Sequence, residues 1–184
     1  MENIFCKHLN LDFDINLSII DQFKNNVIDR HKTFRIAIVD NNLQNFLKPL
    51  NVVTRSPACF YTPPRADRGN HHIDSNQFDN MVKLNYVVNG QNTVMQWFKF
   101  NGSEEHIIRN KNKVGGGYLA FKPEGCELIW EEELKSPCLV NAGIPHNVMN
   151  RSDRGRWSVS YALFDLNTVN LQWDQTNTIF KNYF

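Results

Sequence analysis

Pro145-His146-Asn147-Val148-Met149-Asn150-Arg151-Ser152-Asp153-Arg154-Gly155-Arg156-Trp157-Ser158 is two short β-prone runs flanking a polar, Gly-containing turn. The first run, Asn147–Met149, follows a His. The second, Trp157–Phe164, follows an Arg ten positions after that His. Within it Arg156, Ser158 and Ser160 alternate with Trp157, Val159 and Tyr161. On a strand, alternate residues share a face, so the guanidinium and two hydroxyls stand together. A guanidinium grips a carboxylate through two parallel hydrogen bonds, and a hydroxyl two residues on adds another. Buried in a barrel, such an Arg needs an anionic partner, and a dicarboxylate co-substrate would supply one. A structural Asp or Glu would serve equally. Arg151 and Arg154 are weaker candidates, because Asp153 and Arg156 follow them at i+2, not a hydroxyl.

Upstream, the β-rich texture extends back to Val52. The runs Cys59–Tyr61, Val82–Val88, Thr93–Phe100, Tyr118–Phe121, Glu127–Glu133 and Cys138–Asn141 alternate with Gly, Asn and Pro breaks. Asn89-Gly90 reads as a hairpin turn between two of them. This many short, regularly spaced strands predicts a mainly β sandwich or barrel, and a small jelly roll fits the count. Before Val52 the pattern is helical. Ile19, Ile20, Phe23, Val27 and Ile28 predict an amphipathic helix over Leu17–Arg30, capped by Asp14 or Asn16. A short helix at Asn41–Leu47 would stop before Pro49, and Phe34–Val39 reads as a strand. A helical flank over about residues 1–50 would thus precede a barrel over about 52–165 in one domain.

With 41% hydrophobic residues and 12% aromatics, the 184-residue chain can build a packed core. Charge nearly cancels at +1, which argues against nucleic acid or an anionic membrane as partner. Cys6, Cys59, Cys126 and Cys138 form no C-x-x-C pair, and no apolar stretch resembles a signal peptide or a membrane span. Reduced cysteines and a cytoplasmic location are expected. Gly115-Gly116-Gly117 lacks the Lys and Ser/Thr of a phosphate loop.

His72-Ile73-Asp74 is a His-x-Asp whose two side chains would share a strand face. Alone it is a common coincidence. His146 offers a third ligand. Two His and one carboxylate on one face of a metal leave positions open, the arrangement suited to non-haem Fe(II). His71 has Ile73 at i+2 and no such partner, and His8, His31 and His106 have no companions at ligand spacing. Trp97, Trp130 and Trp157 read as core. Glu131-Glu132-Glu133 reads as a solvated strand end or turn, and Arg65, Asp67 and Arg68 as a loop over the site or plain surface.

His72, Asp74, His146, Arg156 and Ser158 together resemble the Fe(II)- and 2-oxoglutarate-dependent oxygenases. That family carries His-x-Asp/Glu, a distal His and then Arg-x-Ser on a double-stranded β-helix of cupin-like form. The match runs in order over about residues 55–165. Leu84-Asn85, Asn92-Thr93-Val94-Met95-Gln96-Trp97, Val140-Asn141 and Pro145-His146 are also similar to small oxygenase-like proteins of marine microbes and their phages, with aspects of the aspartyl/asparaginyl hydroxylase type. The resemblance implies that His72, Asp74 and His146 hold Fe(II). It implies that Arg156 and Ser158 bind the far carboxylate of 2-oxoglutarate, with Asn85 as a further co-substrate contact. Decarboxylation to succinate and CO₂ would accompany hydroxylation of a small molecule or peptide. Two other classes compete. A cupin-like isomerase or lyase would use the same ligands without 2-oxoglutarate. A metal-free jelly-roll binding module would require the three ligands not to converge. Whether Arg156 and Ser158 line the cavity beside the ligands separates the first two.

Overall fold

The computed structural model describes residues 3–25, 30–36, 39–67, 71–111 and 117–184. Twelve strands form among them: β1 Cys6–His8, β2 Lys32–Arg35, β3 Val52–Thr62, β4 His71–Ile73, β5 Val82–Val88, β6 Thr93–Phe100, β7 Ile107–Lys111, β8 Gly117–Phe121, β9 Cys126–Glu132, β10 Cys138–Asn141, β11 His146–Asn150 and β12 Arg156–Asp165. They sort into two six-stranded sheets, β1-β10-β5-β12-β3-β2 and β7-β8-β4-β11-β6-β9.

The antiparallel pairs β6·β9, β5·β10, β4·β11 and β3·β12 are nested. They are the rungs of one long hairpin with arms β3–β6 and β9–β12. Along most of each arm successive strands alternate between the sheets, so the hairpin is rolled up: a jelly roll, or double-stranded β-helix. β12 closes one sheet by also pairing β5, and β11 closes the other by pairing β6. The β7–β8 hairpin, inserted between β6 and β9, extends the second sheet beside β4.

The first sheet is apolar on its outer face and polar on its inner one. Outward, Leu84, Tyr86, Trp157, Val159, Tyr161 and Leu163 pack with Leu43 and Leu47 of one helix and Trp173 and Phe180 of another. Full burial of each such aliphatic or Phe side chain stabilises by about 1.5–3 kcal/mol. Inward, between the sheets, the same strands present Lys83, Asn85, Arg156, Ser158 and Ser160. An apolar cluster of Met95, Trp97, Cys138, Val140 and Val148 fills the rest of that space.

The helices are α1 Asp21–Lys24, α2 Asn41–Leu47 and α3 Trp173–Phe180. α2 has the expected bounds, capped by Asp40, which accepts from the Asn42 and Leu43 amides. The helix expected over Leu17–Arg30 is shorter. Asn16 caps a 3₁₀ turn at Leu17–Ile20, and α1 ends at Asn25, a poor helix former; residues 26–29 lie outside the described residues. The Phe34–Val39 strand is displaced to Lys32–Arg35, and residues 37 and 38 also lie outside. Cys59–Tyr61 lies near the end of the much longer β3. Pro57 sits where the register with β12 slips between Ser160 and Ala162, the irregularity at which a strand tolerates a residue without an N–H. Asn89-Gly90 makes no hairpin: the chain bends at Asn89, and the hydrogen-bonded turn runs from Gly90 to Thr93. β5 and β6 lie in different sheets, and Asn89 and Asn92, both at φ 56°, bend the chain across the gap between them. Among the described residues no helix is long and apolar enough to cross a membrane.

Candidate metal centre and its cavity

β4 and β11 pair in a register that sets His72 opposite His146, with ring centroids 4.5 Å apart. Asp74 follows β4 directly, its amide donating to the Ala142 carbonyl at 3.1 Å. Its carboxylate then faces both rings. Oδ1 is 3.7 Å from His72 Nε2, and Oδ2 is 3.7 Å from His146 Nε2. One ligand atom from each of the three residues lies within 4.8 Å of the others, close enough for one ion. His146 Nδ1 donates to the Ile144 carbonyl at 2.9 Å, which in the neutral ring leaves the lone pair on Nε2, facing Asp74.

Lys83 Nζ donates to Asp74 Oδ2 at 2.8 Å. Burial works to raise the Asp74 carboxyl. The positive charge of Lys83, the two His and the Lys83 hydrogen bond outweigh it and hold the group well below the usual carboxylate range. Asp74 is therefore ionised and available as a ligand at neutral pH.

A cavity of about 40 Å³, partly open to solvent, lies between the sheets. Asp74 and His146 line it from the second sheet, and Lys83, Asn85, Arg156, Ser158 and Ser160 from the first. Met95, Val140 and Val148 supply apolar wall. His72, 5% exposed, reaches Asp74 from the β4 side and is not among the lining residues. Arg156 is 4% exposed and opposes Thr62, another lining residue, across the β3·β12 ladder. Asn85 Oδ1 is buried with no hydrogen-bond partner among the described residues. Such an atom costs about 1–3 kcal/mol, and the amide can present either end to a ligand.

Of the six residues singled out in the sequence, Asp74, Asn85, His146, Arg156 and Ser158 line one cavity, and His72 reaches Asp74 from behind it. The two other arginines of the opening stretch point elsewhere: Arg151 forms a two-pronged pair with Glu131 at 2.9 and 2.8 Å, and Arg154 is exposed. Lys83 was not anticipated. Its signal is the alternation in Val82-Lys83-Leu84-Asn85-Tyr86, where two polar residues share a face of an otherwise apolar strand. His71 stacks on Phe98 with centroids 3.8 Å apart. Trp97 and Trp157 are core, but Trp130 is 41% exposed and stacks on Phe5. In the loop before β4, Arg65 pairs with Asp153 and Asp67 accepts from Asn147, while Arg68 lies outside the described residues. Two further expectations fail. Glu131-Glu132-Glu133 is no merely solvated end, for Glu131 accepts from Gln96 and Arg151 and Glu132 meets Cys6 and His8. His8 therefore does have companions. Cys6-x-His8 has ligand spacing on a strand that composition did not reveal.

No family model and no curated protein matches the chain. Among solved structures, an oxidoreductase of the 2OG-Fe(II) oxygenase family from Burkholderia pseudomallei is 14% identical with a TM-score of 0.37, covering 85% of this chain and 82% of that one. An RmlC-like cupin protein from Ralstonia eutropha is 10% identical, TM-score 0.29, covering 83% and 80%. CapF, a capsular polysaccharide assembling protein from Staphylococcus aureus, is 16% identical, TM-score 0.36, over 78% of this chain; the chain spans 32% of its length. The jelly roll itself is read from the strand order and pairing.

Proposed function

We propose that the chain is a non-haem Fe(II)- and 2-oxoglutarate-dependent oxygenase that hydroxylates a peptide side chain or small metabolite. The observation that carries this is the clustering of His72, Asp74 and His146 beside a cavity that Asp74, His146 and Arg156 line. Two imidazole nitrogens and one carboxylate fit Fe(II) and leave positions for co-substrate and O₂. Bound there, iron would supply the coupling of 2-oxoglutarate decarboxylation to C–H hydroxylation.

The chain's own residues do the rest. The Ile144 carbonyl fixes the His146 tautomer, and Lys83 orients the Asp74 carboxylate. Arg156 and Ser158 take the far carboxylate of 2-oxoglutarate, and Asn85 adds an amide contact. Two cations, Lys83 and Arg156, against one carboxylate suit a dianionic co-substrate. Met95, Val140 and Val148 keep water from the wall opposite. Arg156 and Ser158 beside the ligands favour this over a cupin-like isomerase or lyase without 2-oxoglutarate. Four free cysteines fit a reducing, cytoplasmic setting.

The test is succinate formation by anaerobically purified protein given Fe(II), 2-oxoglutarate and O₂. Slow turnover without added substrate is expected, abolished in His146→Ala. Arg156→Ala should weaken 2-oxoglutarate binding by about 10–100-fold, the loss of charge-assisted hydrogen bonds, with iron binding unchanged. Stoichiometric iron without succinate would overturn the assignment, and equal loss of both ligands would make Arg156 structural.

A further inference from the structure

At one edge of the jelly roll, β1, the last strand of the first sheet, meets β9, the last strand of the second. Cys6 and His8 are two apart on β1 and share its face. Glu132 ends β9. Cys6 Sγ lies 3.1 Å from Glu132 Oε2, and His8 Nε2 lies 3.0 Å from Oε1. One ligand atom from each residue lies within 4.8 Å of the others. His8 Nδ1 is 3.0 Å from the Lys135 carbonyl and can only donate to it. In the neutral ring the Nε2 lone pair is thereby aimed at a carboxylate oxygen, two acceptors in contact, a pairing that a cation between them resolves. The carboxylate is itself held from outside, Oε2 accepting from Trp130 Nε1 at 3.0 Å and Asn3 Nδ2 at 3.1 Å. Such outer hydrogen bonds orient ligands around metals.

We propose that Cys6, His8 and Glu132 form a second metal site, for a borderline divalent ion of the zinc type, which clasps the edge strands of the two sheets together. The donor set selects the ion. Sulfur, imidazole and one carboxylate suit Zn²⁺ or Co²⁺ in a four-coordinate site, whereas Mg²⁺ and Ca²⁺ demand oxygen ligands. The His8 and Glu132 side chains are 34% and 27% exposed, so solvent supplies the fourth ligand and the ion enters directly. On binding, a metal–sulfur bond replaces the Cys6 S–H bond, and the proton leaves to solvent. The site shares no residue with the cavity lining. Among the described residues the three-residue β1 pairs with β10 alone, and it gains from the clasp a tie to the other sheet, beside the Phe5–Trp130 stack.

Co²⁺ titrated into the reduced full-length chain tests this, because a thiolate ligand gives a sulfur-to-cobalt charge-transfer band and the His72–Asp74–His146 cluster contains no sulfur. The band should appear in wild type, saturate at one equivalent in His146→Ala, where the other cluster is broken, vanish in Cys6→Ser and need roughly tenfold more Co²⁺ in His8→Ala/His146→Ala. Zn²⁺ should raise the Tm of His146→Ala but not of Cys6→Ser/His146→Ala. Absence of the band in wild type with Cys6 shown to be reduced, its survival in Cys6→Ser, or an equal Zn²⁺ shift in both variants would overturn the proposal.

Discussion

Lys83 gives Asp74 a partner at 2.8 Å inside the cavity, and a cation beside a candidate metal ligand has two possible effects. It holds the carboxylate in place for the ion, or it competes with the ion for the carboxylate. Lys83 takes Oδ2, which also faces His146, and leaves Oδ1, facing His72, as the oxygen open to an ion. With Oδ1 open to the ion, the orienting effect is the one expected. Lys83→Met keeps the aliphatic stem and removes the ammonium. It should weaken Fe(II) binding by about 10–100-fold, the usual effect of losing a carboxylate's outer partner; a direct Fe(II) titration that showed tighter binding would mean competition. At this scale spacing made His72, Asp74 and His146 legible, and a hydroxyl two residues on picked Arg156 from three arginines. Lys83 and the Cys6–His8 pair escaped because each belongs to a site only through a residue of the other sheet's side. Lys83 meets Asp74 across the gap between the sheets although the two are near in sequence, and His8 needs Glu132, 124 residues away.

The segment between β10 and β11 places His146. Gly143 backs onto the chain at Asp79 so closely that a Cβ would stand 1.6 Å from the Asp79 carbonyl oxygen. Asn141 Oδ1 accepts from the Gly143 amide at 3.3 Å, and the Pro145 carbonyl accepts from Phe98 N at 2.7 Å. The turn is thus wedged against the segment leading into β5, and Ile144, which orients the His146 ring, is its next residue. Gly143→Ala must push the turn or residues 79–80 aside. It should cost on the order of 2–3 kcal/mol of stability by urea unfolding and also lower Fe(II) affinity. A stable variant with unchanged iron binding would show that the turn relaxes without moving His146. Turn chemistry was readable here and at Asn89-Gly90, but its consequence was not. A two-residue signal reports that the chain reverses, not whether the next strand joins the same sheet, and the rolled hairpin places β5 and β6 in different ones.

Across the whole molecule the first sheet divides the work. Its inner face carries the cavity, and its outer face anchors the helices. The alternation of Arg156, Ser158 and Ser160 with Trp157, Val159 and Tyr161 made that division visible in the sequence. The strand count gave a jelly roll and included β8, as Tyr118–Phe121, though not β7, with which β8 forms the inserted hairpin. α3 stayed hidden because Trp173-Asp174-Gln175-Thr176-Asn177-Thr178 is poor in strong helix formers. Its helix rests on a capping box between Gln172 and Gln175 and on burial of Trp173, Thr176 and Phe180. Phe180 is fully buried and packs near Phe46 and Tyr183. Phe180→Ala should therefore cost about 3–5 kcal/mol, the range for truncating a buried aromatic. Because the void opens on the far side of the sheet from the metal ligands, folded Phe180→Ala should keep wild-type Fe(II) affinity. Urea denaturation and Fe(II) titration on the same preparation check both halves. A fall in iron affinity while the chain remains folded would mean that the outer core sets the inner face's geometry through β12, whose residues pack on both sides.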